Sequence, residues 1–172
     1  YPEPPIPLPP GEAAELLVRG YRLMLGLNGR ARPETFDPEG YYATGDLCLL
    51  DADGYLKFEA RLGEMIKVHG ANVAPMEVEL ALAGLMGIEK AGVVGVPGAG
   101  DTLLVAAVLM APDRVLDEAA VIADLRGKLS SFKVPKHIVA LDEATLPATG
   151  SGKIKKAELA ALMTRLVGDG SL

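Results

Sequence analysis

Two apolar runs constrain this chain more than any other feature: GVVGV at 92–96 and LLVAAVLM at 103–110, joined through Pro97, Gly98, Ala99, Gly100 and Asp101. Each run is short, apolar and unbroken by charge, and the join is rich in turn residues. The pattern predicts two buried, neighbouring strands. Helical periods lie on either side. Pro75 suits a first helical position, and Val78, Leu82 and Leu85 line one face until Gly87. Glu77 and Glu79 fall in what reads as the first turn, where the helix dipole favours carboxylates. Asp117 is placed to cap a second helix, with Ile122, Leu125 and Leu129 along one side. HIVAL at 137–141 predicts a third strand, and Leu159, Leu162, Met163 and Leu166 a final helix. Ahead of these, MIKVHGANV at 65–73 reads as a strand or tight hairpin.

The upstream text differs. From Ala14 to about Ala60 it consists of short β-rich runs: AELLVRG, then LCLL and YLKFEA flanking Asp51-Ala52-Asp53-Gly54, where Asp53-Gly54 is a hairpin signal. Residues 1–12 hold six prolines, which favours an extended linker or the cut end of something longer. The expected organisation is a β-rich part at 1–60, a boundary at 61–64 and an α+β unit at 65–172. A chain of 172 residues that is 49% hydrophobic and 23% charged can bury one core or two small ones. Its net charge of -6 and pI near 5.0 argue against a nucleic-acid or anionic-membrane surface. Cys48 is the only cysteine, so no internal disulfide or Cys-rich zinc site can form, and a reducing cytoplasm is the expected location. No signal-like start or run long enough to be a transmembrane segment is present.

Three segments carry the chemistry, and their order matters more than any one of them. They are GYYATGD at 40–46, RLGEMIKVHGANVAPMEVE at 61–79 and LPATGSGKIKKAEL at 146–159. In this order and separation they resemble the adenylate-forming superfamily of acyl-CoA synthetases, luciferases and peptide-synthetase adenylation domains. The first resembles the family's aromatic-x-Thr-Gly-Asp motif, the second its hinge, the third its C-terminal catalytic-lysine motif. The fold this implies is a small mobile C-terminal domain, a three-stranded sheet with flanking helices plus a hairpin, preceded by a β-rich remnant of a large N-terminal domain.

The resemblance assigns Thr44, Asp46 and Arg61 to the nucleotide. A carboxylate beside a tight turn can accept hydrogen bonds from two vicinal ribose hydroxyls, and an always-charged planar guanidinium suits ribose or phosphate oxygen. A turn aspartate and a surface ion pair are the plainer alternatives for those residues. The hinge pivot falls at Gly63, where relatives usually carry Asp or Lys, so any polar contact made by that side chain is missing here. Lys67, Gly70 and Asn72 occupy positions on the acyl-adenylate and CoA face, with Gly70 allowing close approach of backbone to the pantetheine arm. Asn72 stands where Gln or Arg is common.

Gly150-Ser151-Gly152-Lys153 looks like a phosphate-binding P-loop, but the spacing excludes it. Such a loop needs glycine five residues before its Gly-Lys and Ser or Thr after, whereas Pro147 and Ile154 stand there. The glycines instead make a flexible loop presenting Lys153, which the resemblance makes the catalytic lysine of adenylation. A point charge on a mobile stem suits the space between a carboxylate and an α-phosphate. Lys155 and Lys156 read as solvated, although Lys156 replaces an arginine frequent in relatives. His69 and His137 have no clustered carboxylate partner in sequence, which argues against a triad or metal site. Phe58 reads as a half-buried strand aromatic, and Lys133 and Lys136 as candidates for CoA phosphates.

The resemblance implies an acid-thiol ligase: a carboxylate, fatty or aromatic, plus ATP with Mg²⁺ gives acyl-AMP and pyrophosphate, and CoA then gives the thioester and AMP. The Ser/Thr/Gly-rich phosphate loop and the aromatic-Gly-x-Thr-Glu segment that the family places upstream are missing from these 172 residues. The expectation is therefore a piece of such a ligase, inactive without the N-terminal domain. Two alternatives stay open: an adenylation module that loads a carrier protein, and a non-catalytic α+β module binding a partner or nucleotide.

Overall fold

Strands β1 (Ala13–Val18), β2 (Tyr42–Leu50) and β3 (Leu56–Arg61) form an antiparallel sheet in chain order, with one helical turn, α1 (Arg32–Thr35), in the connection between β1 and β2. The Asp51-to-Gly54 turn closes β2 on β3 as the Asp-Gly signal predicts. Asp51 accepts hydrogen bonds from the Asp53 and Tyr55 N–H groups at 3.1 and 2.9 Å, and Gly54 adopts φ +84°. Phe58, read as a half-buried strand aromatic, lies on β3 opposite Cys48 and is 45% exposed. These features come from a computed structural model, which describes residues 6–168. The chain divides into two compact units, Tyr1–Glu64 and Met65–Leu172. Of the proline-rich start, residues 1–5 lie outside the described residues.

The second unit opens with the hairpin of β4 (Ile66–Val68) and β5 (Ala71–Val73) and continues into α2 (Pro75–Ala83). The apolar runs become β6 (Ile88–Pro97) and β7 (Thr102–Met110), paired antiparallel. Helix α3 (Glu118–Arg126) then crosses to β8 (His137–Ala140), which joins β7 in parallel. Asp117 caps α3 by accepting from the Ala120 N–H at 3.0 Å. Helix α4 (Lys156–Gly168) ends the described chain.

Because side chains alternate along a strand, the central sheet packs on both faces. One face, including Val93, Leu104, Ala106, Val108 and Ile138, meets Val68 and Val73 of the hairpin, Val78 and Leu82 of α2 and Leu125 of α3. The other, including Val94, Val96, Val105 and Ala107, meets Leu146 and Leu159 and Met163 of α4. Leu82, Leu125 and Leu159 are fully buried, so truncating any of them to alanine should cost about 2–5 kcal/mol.

Two details of α2 correct the sequence reading. The helix stops at Ala83, short of Gly87: Gly84 weakens its continuation, and Leu85 packs on the core from beyond the helix end. Glu79 lies beyond the first turn, and its carboxylate accepts the Val93 N–H at 2.7 Å on the outer edge of β6. Lys156, expected to be solvated, donates to the same carboxylate and to the Val93 carbonyl. An ion pair thus satisfies both edge groups of Val93, which no strand among the described residues pairs on that side.

Candidate functional site

In the first unit, the predicted nucleotide residues converge on one end of the β2–β3 pair. Asp46 and Arg61 are register partners, and the Arg61 guanidinium donates to Asp46 Oδ1. Their mutual attraction raises the Arg61 pKa further, mainly through the hydrogen bond to Asp46, so its charge is permanent at any working pH. The pair remains open to solvent, at 25% exposure for the Asp46 side chain and 52% for that of Arg61. Among the described residues, Asp46 Oδ2 has no hydrogen-bond partner.

Thr44 shapes the irregularity in β2 that aims this carboxylate. Its hydroxyl donates to the Leu16 carbonyl at 2.8 Å and accepts from the Asp46 N–H at 3.1 Å, while Gly45 takes φ +75° between them. Asp46 thus lies within a strand, not in a turn, and the arrangement joins the ion-pair reading with an unoccupied acceptor edge. Gly63 lies in a short 3-10 turn at Leu62–Glu64, where a Cβ would meet nothing within 4 Å and φ is not left-handed. Nothing in this conformation demands glycine at that position.

In the second unit, Lys67 and Asn72 are cross-strand partners on the exposed side of the hairpin, and Gly70 sits in its turn at φ +81°. The opposite side of the hairpin is seated on β6. A Cβ at Gly95 would come within 2.8 Å of Ile66 Cγ2, so glycine is what lets Ile66, next to Lys67, approach the sheet.

The Lys153 loop uses the same device on the other face. A Cβ at Gly92 would lie 2.7 Å from Leu159 Cδ2 and 3.0 Å from Ile154 Cδ1. Ile154 forms an isolated bridge with Ala148, and Lys155 donates to the Pro147 carbonyl at 2.9 Å, closing the base of the loop. Thr149 closes its tip: its N–H donates to the Lys153 carbonyl at 2.8 Å, and its hydroxyl accepts from the Lys153 N–H at 3.1 Å. The loop is thus ordered at its ends while the Lys153 side chain is exposed. An open cavity of about 440 Å³ lies beside it, walled by Lys90, Glu143, Glu158, Thr149 and Gly152. Gly92, Gly95 and Thr149 were invisible as site residues in sequence, although small residues interrupting an apolar strand are a signal of close approach.

Other expectations are corrected by pairings distant in sequence. Lys133 is committed to Glu77, with its amine 2.8 and 2.7 Å from the two carboxylate oxygens, which leaves it poorly placed for a phosphate. Lys136 instead borders an open cavity of about 480 Å³ with Arg126, Ile122 and Leu129. Both histidines have carboxylate neighbours after all: His69 Nδ1 is 2.6 Å from Asp101 and His137 Nδ1 is 3.7 Å from Glu118. Among the described residues no group of three or more His, Cys, Asp or Glu could hold a metal ion, and no helix is long and apolar enough to cross a membrane.

Comparison with known proteins gives this geometry a context. Residues 77–153 match the family described as AMP-binding enzyme C-terminal domain. The chain is 40% identical over 156 residues to a feruloyl-CoA synthase of an Amycolatopsis species, covering 89% of this chain and 31% of that protein. It is 37% identical over 153 residues to a long-chain-fatty-acid–CoA ligase of Salmonella typhimurium, covering 87% and 27%. Among solved structures, ATP-bound MatB from Rhodopseudomonas palustris superposes with a TM-score of 0.80 at 29% identity, covering 92% of this chain and 32% of that one. The chain therefore spans about a third of the length of the relatives it matches.

Proposed function

We propose that the chain belongs to the adenylate-forming, AMP-binding family through its C-terminal domain, and that it supplies the moving part of an ATP-dependent acyl-CoA synthetase. The reaction is two-step. A fatty or aromatic carboxylate attacks the α-phosphorus of ATP, releasing pyrophosphate and leaving acyl-AMP. The CoA sulfur then attacks the acyl carbon, releasing AMP and leaving the thioester. Lys153 supplies positive charge to the first step, where negative charge spreads over the transferring oxygens. Lys67, Gly70 and Asn72 serve the second, with Gly70 leaving room for an extended thiol arm. Asp46, oriented by Thr44 and Arg61, offers its open carboxylate edge to the ribose hydroxyls. Gly63 is the pivot and residues 61–64 the hinge between the 1–60 and 65–172 parts. Mg²⁺ enters as part of the ATP complex, and among the described residues no group of three or more His, Cys, Asp or Glu gathers to hold it.

The observation that carries this reading is that one sheet supports two chemically distinct segments on opposite faces. Gly95 seats the Lys67 hairpin on one face, and Gly92 seats the Lys153 loop on the other. A domain built this way presents one face per half-reaction and needs only to turn between them. In the complete enzyme, Lys153→Ala should suppress pyrophosphate release by at least about a hundredfold, in the range seen when one charge-stabilising group is removed. Unchanged pyrophosphate release would sink the assignment and leave a non-catalytic module as the better description. This chain by itself should show no ligase turnover.

A further inference from the structure

At the tip of the β4–β5 hairpin, His69 and Gly70 both have positive φ, 48° and 81°, the pattern of a type I′ turn. Gly70 adopts this without steric cost. His69 carries a Cβ, so its left-handed backbone needs support. That support comes from 32 residues away, in the connection between β6 and β7. Asp101 Oδ2 accepts the His69 N–H at 2.7 Å and lies 2.6 Å from His69 Nδ1. Asp101 Oδ1 accepts the Thr102 N–H at 2.7 Å. One carboxylate therefore ties the hairpin tip to the start of β7. The Thr102 and His69 N–H groups hold the Asp101 carboxyl below the usual carboxylate range, so it remains a full acceptor around neutrality. Ile66, seated against Gly95, fixes the other end of the hairpin. Lys67, Gly70 and Asn72 lie between these two anchors.

We infer that Asp101 is a positioning residue for thioester formation, acting through His69 to fix the turn that presents Gly70, Lys67 and Asn72. The inference rests on the assignment of this hairpin to the CoA side. Asp101 touches no reacting group; its effect passes through the backbone of the turn. The Lys153 loop packs on the opposite face of the sheet, so adenylation is independent of Asp101.

Two measurements test the inference separately from the reading beneath it. In this chain alone, Asp101→Ala should speed amide exchange at His69 by about tenfold or more, the loss expected for a charged hydrogen bond, without affecting the Val93 and Lys153 amides. Adding His69→Asn should restore most of the turn's order, because Asn-Gly favours type I′ unaided. Unchanged His69 exchange in Asp101→Ala would overturn the positioning role outright. In the complete enzyme, Asp101→Ala should raise the KM for CoA and slow single-turnover consumption of preformed acyl-AMP about tenfold. Pyrophosphate release should stay as it was, and Asp101→Ala/His69→Asn should recover the second step. Equal loss in both half-reactions, or no recovery in the double variant, would overturn the inference. A turn that loosens with both half-reactions unaltered would instead overturn the placement of the hairpin on the CoA side, and the inference with it.

Discussion

Replacing Glu79 should loosen the sheet edge at Val93, and the size of the effect follows from how the pair is buried. The Glu79 and Lys156 side chains are 20% and 27% exposed, so their interaction lies between a surface ion pair, worth at most about 1 kcal/mol, and a buried one, whose disruption costs about 3–5 kcal/mol. Glu79→Ala also strips the Val93 N–H of its acceptor. Together these give an expected loss of about 2–3 kcal/mol, equivalent to a roughly 30- to 150-fold rise in the local opening equilibrium. Glu79→Gln keeps an acceptor for Val93 and should lose about half as much. Intrinsic fluorescence is unsuitable, since the chain has no Trp and its five tyrosines, at 1, 21, 41, 42 and 55, all precede the second unit. Amide hydrogen exchange at Val93 reads the opening directly. Exchange should increase in the order wild type, Glu79→Gln, Glu79→Ala. A change of less than about twofold in Glu79→Ala would mean that the pair is an ordinary surface contact despite its partial burial.

Three further outcomes are expected. Gly92→Ala should force Ile154 or Leu159 to shift and so disturb the Lys153 loop, whereas Gly95→Ala should displace Ile66 and disturb the hairpin; backbone amide shifts mapped in each variant should fall on opposite faces of the sheet. Burial, with Asp46 and Glu59 adding to it, pushes the Cys48 thiol pKa up, so alkylation of native protein near neutral pH should be slow and should become complete only on unfolding, as a mass measurement would register. The Asp101 carboxyl is held below its ordinary value, so its support of the hairpin is fully present above the usual aspartate pKa of about 4 and disappears as pH falls through its lowered folded value; His69 exchange, corrected for intrinsic rate, should therefore rise only in acid.

Much of the second unit was legible from local pattern. The runs at 92–96 and 103–110 are apolar on both faces because both faces are covered, and the spacing of Val78 and Leu82 or Leu159 and Met163 follows from which side of each helix does the covering. Asp117 and the Asp53-Gly54 turn carry their geometry in their own side chains and backbones. What stayed hidden depends on tertiary distance. Lys156 meets a carboxylate 77 residues away, Lys133 one 56 away and His69 one 32 away, and no local signal distinguishes such partners from solvated charges. The glycines of GVVGV looked like strand residues because the side chains that need their empty space, Ile66 and Ile154, come from other parts of the chain. The Asp46 and Arg61 pairing was hidden for the same reason, since register across a hairpin sets it.

The proposed division of labour between the two faces is tested most directly by measuring both half-reactions in Lys153→Ala and Gly70→Ala forms of the complete enzyme. Gly70 sits at φ +81°, where an added Cβ strains the turn without reaching the Lys153 loop. Crossed losses are expected: Lys153→Ala should fail to release pyrophosphate yet convert supplied acyl-AMP to thioester, and Gly70→Ala should form acyl-AMP normally and transfer it slowly. Loss of the same half-reaction in both variants, or retention of pyrophosphate release in Lys153→Ala, would contradict it.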